Sequence, residues 1–207
     1  MKNMFHRHMF HMFIINTDND ITAEIHKRII ASNKCFFGLR KYLKTDYISR
    51  KTKIILYKSL IRPILTYSAE TWTMTRKNEE MLAVYERKIL RSLLGGVQIN
   101  GIWFRRTNSQ LYKIYKEPDV VKFIKIQRIK WAGHLIRMED TRNAKKLFKI
   151  KPYGVRVRGR PKLRYQDCLE NDLKSINIKN WKIKATNRSA WKALIEKARV
   201  HNGLSSQ

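Results

Sequence analysis

The chain has 207 residues, 43% of them hydrophobic, with 45 Lys and Arg against 16 Asp and Glu for a formal net charge of +29. That length and apolar content suffice for one core or two small ones and exclude wholesale disorder, while the pair Cys35 and Cys168, far apart in sequence, excludes a disulfide scaffold and fits a reducing compartment. The charge imbalance predicts attraction to polyanions, so RNA and/or DNA is the expected partner; a lysine-rich surface that merely reflects a biased genome is the alternative.

Residues 1–19 open with MKNMFHRHMFHMFII, which has a short apolar end and no small-residue cleavage site, a poor secretory signal. As a mitochondrial presequence it lacks serine and carries a single arginine. His6, His8 and His11 are joined by no Cys or carboxylate, so no metal site is expected. No run approaches the ~20 apolar residues of a membrane span. The expected location is nuclear or cytoplasmic, not secreted and not in a membrane, with residues 1–19 poorly ordered.

From Ile21 to Leu43 the apolar residues Ile25, Ile29, Phe36, Leu39 and Leu43 recur at helical spacing, with Ser32 in the missing place, Thr22 as a cap and Gly38 as a break or a close helix approach. Ser49 offers a cap for the next helix. Ile54 to Met74 places Ile54, Tyr57, Ile61, Ile64, Ser68 and Trp72 on one stripe, interrupted by Pro63, which demands a kink or a restart. The two helices are expected to pair as a hairpin through Phe36, Leu39, Leu43, Tyr57 and Ile61.

Asn78 to Leu94 reads as a capped helix with Leu82, Tyr85, Ile89 and Leu93 inward, stopped by Gly95 and Gly96. Gly101 to Arg106 reads as a loop or short strand with exposed cations. A helix follows from Asn108 to Tyr115, broken before Pro118, then a strong one from Asp119 to Met138 with Val121, Ile124, Trp131, Leu135 and Met138 inward. Lys122, Lys125, Arg128 and Lys130 should leave much of its remaining surface basic. His134 and Glu139 share no face and have no nucleophile beside them, so a packed histidine is the expectation.

Thr141 to Gln166 holds ten Lys and Arg, no acidic residue, and Pro152, Gly154, Gly159 and Pro161. It is expected to be an irregular basic linker. Arg158-Gly159-Arg160-Pro161-Lys162 has the form of a thin hook that fits a narrow A·T minor groove; general phosphate binding and a plain connector are the other readings. Last come a short helix carrying Tyr165, Leu169, Leu173 and Ile176, a turn at Asn177 to Asn180, and a helix near Ser189 to Val200 with Trp191, Leu194, Ile195 and Ala198 inward and Trp181 packed between.

The segments YKSLIRPILTYSAETW, YERKILRSLLG, RTNSQLYKIYKEPDVVKFIKIQRIKWAGHLIRMED and GRPKLRYQDCLENDLK occur in this order. Together, over Asp20 to Leu204, they resemble the carboxy-terminal part of the endonuclease-reverse transcriptases of non-LTR (LINE-type) retrotransposons. The resemblance implies a thumb and basic tail lying after the catalytic palm, and a mainly α fold: a thumb-like helical bundle over 20–140, a basic linker over 141–164 and a small helical tail over 165–207. It implies that Arg76, Lys77, Arg87, Lys88 and Arg91 are phosphate contacts of the thumb; a solvated face is the other reading.

The resembled full-length enzyme holds Mg2+ on palm carboxylates. This chain has no Asp-Asp pair and no Cys and His cluster for a zinc knuckle, and Pro118-Asp119 and Asp172-Leu173-Lys174 lie too far apart for a nuclease motif. No catalytic residue, metal or cofactor is therefore expected in the chain itself. The expected function is that of a truncated reverse-transcriptase fragment that binds template-primer or target DNA through phosphates. The expected contacts are Arg156, Arg158, Arg160, Lys162 and Arg164 first, and Arg76, Arg87, Arg91, Lys125, Arg128 and Lys130 second. The alternatives are one piece of an active RNA-directed DNA polymerase whose catalytic palm is encoded upstream and would be a further partner, a recruited interaction module, and a decayed reading frame without function.

Overall fold

The computed structural model describes residues 20–150 and 163–205, without the Asn202 side chain. The chain is mainly α, with a single antiparallel hairpin of strands among the described residues. Helix α1 (Thr22–Lys44) runs unbroken through Gly38, where an added Cβ would meet open space. Its N-cap is Ile21, one residue before the one expected and without a side-chain cap, while the Asp20 carboxylate before it accepts from the Thr22 backbone and hydroxyl at 2.9 and 2.7 Å. Helix α2 (Arg50–Leu56) begins where expected, with Ser49 accepting from the Thr52 backbone.

Pro63 exerts its effect upstream. It has no N–H to give the Ser59 carbonyl, and in a regular α-helix its ring would press on that carbonyl. The chain responds with a wider π turn over Tyr57–Ile61, closed by the Arg62 N–H on the Tyr57 carbonyl, and resumes as α3 (Arg62–Leu65). The wider turn moves the inward face on by one residue. Leu65 and Ala69 are buried where the sequence stripe pointed to Ile64 and Ser68, while Tyr57, Ile61 and Trp72 stay inward as expected. Ser68 takes a left-handed conformation, φ 58°, before a 3-10 turn over Ala69–Thr71.

Helix α4 (Arg76–Leu94) starts at Thr75, whose hydroxyl accepts from the Asn78 backbone; Asn78 is buried within the first turn rather than capping it. Gly95, with φ +69°, ends it. Strands β1 (Val97–Ile99) and β2 (Ile102–Phe104) pair in the register Val97 to Phe104, Gln98 to Trp103 and Ile99 to Ile102. Asn100 and Gly101, φ 50° and 82°, make the two-residue turn between them. Thr107 and Gln110 form a reciprocal capping box that opens α5 (Asn108–Tyr115). Asp119 caps α6 (Val120–Arg137) through the Lys122 backbone.

Part of the stretch expected to be irregular is helical: α7 (Asn143–Lys149) lies within it. Lys145 explains why. Its ammonium reaches back to the Ile136 and Met138 carbonyls at 2.5 and 3.0 Å, satisfying acceptors left open at the end of α6. The tail comprises α8 (Tyr165–Ser175), α9 (Trp181–Thr186), a helix the sequence pattern does not predict, and α10 (Arg188–Val200), followed by a 3-10 turn over Asn202–Leu204.

Buried side chains gather into two cores, and α6 belongs to both. Its first turns contribute Val120, Val121 and Ile124 to a core shared with α1, the π turn, α3, α4 and α5. Its later turns contribute Ile126, Ile129 and Ala132 to a core with Leu169, Leu173, Ala185, Trp191, Ile195 and Ala198 of the tail. The tail thus packs directly on the helix that completes the bundle. Gly133 permits the closest part of this contact, because a Cβ there would overlap the Trp191 indole.

Candidate nucleic-acid interface

A phosphate-binding surface needs cations that are exposed and free of carboxylate partners, since an internal ion pair already uses the charge. The candidates differ sharply by this criterion. Arg156, Arg158, Arg160 and Lys162, with the Arg158–Lys162 hook, lie outside the described residues. Arg164 is half-buried at the start of α8, its backbone N–H on Asp167 Oδ2 at 3.2 Å.

On α6 the expected basic surface is largely spoken for. Lys125 is bound to Glu79 Oε2 at 2.9 Å in a mostly buried pair. Arg128, expected outside, is turned inward: its side chain is 2% exposed and lies 2.6 Å from Asp172. A cation on a helix reads the same in sequence whichever way it points, and only the arrival of α8 decides the direction. Lys130 stays half-exposed, its pKa lowered by burial and then by Arg199 nearby. It lines an open cleft of about 540 Å3 together with Phe123, Trp131 and His134, but the same cleft carries the Glu70 carboxylate. His134 itself is exposed, its ring centroid 5.3 Å from that of Trp131, rather than packed in the core. Trp131, expected inward, is only half-buried.

The helix α4 candidates form a different environment. Arg76 is exposed and loosely paired with Glu80 at 3.4 Å. Arg87 and Arg91 sit one turn apart on the same face, half-exposed. Arg91 is fixed by Asn108 Oδ1 at 2.6 Å and by the Arg106 carbonyl at 3.5 Å, which ties α4 to the segment following β2. Its pKa is lowered, first by burial and then by the like charges of Arg105 and Arg87. The contact with the Arg106 carbonyl brings Arg91 beside the backbone that follows Arg105, and Arg87 lies one turn back on α4. Among the described residues no carboxylate forms an ion pair with any of them. Arg87, Arg91 and Arg105 are therefore candidate cations without an ion-paired carboxylate among the described residues, and the hydrogen-bond partners of Arg91, Asn108 and the Arg106 carbonyl, are neutral.

An uncharacterized transposon-derived protein of Caenorhabditis elegans is 27% identical over 191 residues, which cover 88% of this chain and 67% of that protein. The similarity supports a transposon origin. No family model matches the chain, and no solved structure matches it.

Of the residues brought together here, Arg87 and Arg91 were expected and Lys125 and Arg128 are engaged elsewhere. Arg105 was noted only as an exposed cation of a loop or short strand. Its position follows from the hairpin, and the signal for that hairpin is the Asn100-Gly101 dipeptide between Val97-Gln98-Ile99 and Ile102-Trp103-Phe104. Glu86 was missed altogether. It is fully buried, with Oε1 accepting from the Tyr57 hydroxyl at 2.9 Å, and Oε2 from the Tyr112 hydroxyl at 3.2 Å and the Val120 backbone at 2.9 Å. This carboxylate ties the π turn, α5 and the start of α6 to α4, and nothing in its sequence neighbourhood marks it.

Among the described residues no group of three or more His, Cys, Asp or Glu side chains gathers where a metal could sit. No helix among them is long and apolar enough to cross a membrane.

Proposed function

We propose that the chain is the thumb and basic tail of a non-LTR retrotransposon reverse transcriptase, and that it binds RNA or DNA through phosphates without polymerase chemistry of its own. The observation that carries the reading is that Arg87 and Arg91, one turn apart on α4, and Arg105, next to the Arg106 carbonyl that Arg91 reaches, have no ion-paired carboxylate among the described residues, in a chain of net charge +29. Holding like charges side by side costs free energy in the free protein, and a bound polyanion relieves it. The transposon-derived relative, similar over most of the chain, supports the retroelement part of the reading.

The test is binding of the purified chain to labelled duplex DNA and structured RNA across a salt series. Each duplex phosphate contacted contributes roughly 0.9 to the log-log slope, so a multi-phosphate contact gives a steep dependence. Replacing Arg87 and Arg105 by Gln should make the slope shallower by about the contacts removed. Replacing Arg156, Arg158, Arg160, Lys162 and Arg164 by Ala tests the basic segment in the same way. Absence of binding near physiological salt would overturn the proposal.

A further inference from the structure

The hairpin beside the arginine patch leaves large apolar side chains in solvent. Trp103 is 69% exposed and Ile102 62% exposed, with Ile99 and Phe104 also outside. A soluble surface does not ordinarily leave a tryptophan so open without a use for it. The ring is nonetheless positioned. It rests against Gly96, where a Cβ would come within 2.9 Å of the Phe104 carbonyl and make a tight 3.2 Å contact with Trp103 Cε3.

The direction of this ring relative to the arginines follows from strand geometry. Side chains alternate along a strand, so Trp103 shares a face with Gln98, its cross-strand partner, and Arg105 follows directly on the end of β2, two residues from the indole. Arg105 is followed by Arg106, whose carbonyl accepts from Arg91 at 3.5 Å, and Arg91 is itself anchored to Asn108. An indole with an open face therefore sits at the end of the hairpin where the chain runs on through Arg105 to its contact with Arg91 on α4, one turn from Arg87. A paired duplex hides its base faces in the stack and offers only phosphates and groove edges to such a surface. An unpaired strand offers both things the surface can take: a base plane for the indole and successive phosphates for the arginines.

We propose that the β1–β2 hairpin and the Arg87, Arg91 and Arg105 patch form a site for unpaired nucleic acid, with a base stacked on Trp103 and the flanking phosphates on the arginines. The proposal rests on the nucleic-acid-binding reading above and adds the strandedness of the ligand. Charge complementarity favours this occupant over a protein partner, because an apolar partner face would bury the three cations.

The experiment compares binding of a fluorescent oligothymidylate strand and of a blunt duplex of the same length to the full chain, its Trp103→Ala and Trp103→Phe variants, and an Arg87→Gln, Arg105→Gln double variant. Far-ultraviolet circular dichroism and thermal unfolding check each fold. Trp103→Ala should weaken strand binding roughly 5- to 150-fold, the range of one stacked base, with Trp103→Phe retaining most of it and duplex affinity changing less than about twofold. The double variant should lower the strand's salt slope by about 0.7 per lost phosphate contact. An unchanged strand affinity in Trp103→Ala, or an equal loss for strand and duplex, would overturn this site and leave the general binding reading standing. Self-association of the wild-type chain that disappears in Trp103→Ala would also overturn it, assigning the hairpin to a contact between copies. Failure of the wild-type chain to bind either ligand would overturn both readings.

Discussion

Arg128 on α6 and Asp172 on α8 meet at 2.6 Å through Nη1 and Oδ2, and the same guanidinium donates through Nη2 to the Trp72 carbonyl at 2.7 Å. One side chain therefore links the end of the bundle's central segment to the tail, between the two cores that share α6. Burial pushes the Asp172 carboxyl up, and the adjacent Arg128 opposes that shift. Removing one partner leaves an uncompensated charge inside the protein, a change that typically costs about 3–5 kcal/mol. Arg128→Met should lower stability by that amount in urea unfolding. The Arg128→Met, Asp172→Leu double variant should recover much of the loss, because it buries apolar groups and no orphan charge. A single variant within about 0.5 kcal/mol of wild type would show that the pair does not hold the tail in place. Loss of nucleic-acid binding in Arg128→Met then reflects the fold, not a phosphate contact.

Glu86 makes stability depend on pH. Burial raises its pKa from 4.5 to about 7, against hydrogen bonds from the Val120 backbone and the Tyr57 hydroxyl that favour the charged form. Because the folded value lies above the unfolded one, the folded protein holds an extra proton between these two limits. The stabilisation from that proton is complete below about pH 4.5, falls as pH rises through the window and is gone above about pH 7. Its full size is on the order of 3 kcal/mol. Glu86→Gln cannot titrate, so the stability of wild type relative to this variant should decline between pH 5 and 8, as read from urea unfolding at each pH. A difference that stays constant over that range would mean that Glu86 is ionised throughout.

What could be read in the sequence, and what could not, divides along physical lines. Helices α4, α5, α6 and α8 were legible because each has a stripe of apolar residues at helical spacing, and the breaks at Gly95 and Pro118 are local chemistry. The inward shift from Ile64 to Leu65 was not, since a π turn inserts one residue into a repeat that sequence reading must assume regular. The fates of Arg128, Lys125 and Glu86 were illegible for a different reason: whether a charge is paired depends on partners 44, 46 and 26 or more residues away. The hairpin was within reach through Asn100-Gly101, but its strands of three residues are too short to show an alternating pattern.

Lys145 should be worth more than an ordinary surface lysine of this basic chain. It is buried, and its ammonium closes the end of α6 on the Ile136 and Met138 carbonyls, with Asp140 at 3.6 Å. Lys145→Met keeps the aliphatic stem and removes the donors, leaving those acceptors unmet at a cost of about 1–3 kcal/mol. Lys146→Met, one residue along and exposed, should change stability by less than about 0.5 kcal/mol. Chemical denaturation of the two variants side by side checks the contrast, and equal effects would remove Lys145 from the end of α6.

Two helical glycines give opposite expectations for the same substitution. Gly38 lies within α1, exposed, and a Cβ there meets nothing. Alanine at this position loses less backbone freedom on folding and adds no clash, so Gly38→Ala should raise stability by about 0.5–1 kcal/mol. Gly133 lies within α6 at the same intrinsic disadvantage, yet a Cβ there would overlap the indole of Trp191, a side chain that is itself 2% exposed and has no room to retreat. Overpacking of this kind costs about 1–3 kcal/mol, outweighing the gain in helix propensity, so Gly133→Ala should lower the melting temperature while Gly38→Ala raises it. Trp191 is one of several tryptophans, so the near-ultraviolet circular dichroism of Gly133→Ala should also change as its ring is displaced, whereas that of Gly38→Ala should not. If both variants stabilised the chain equally, α6 and α10 would be farther apart than the Gly133–Trp191 contact requires, and the packing of the tail on α6 would have to be redrawn.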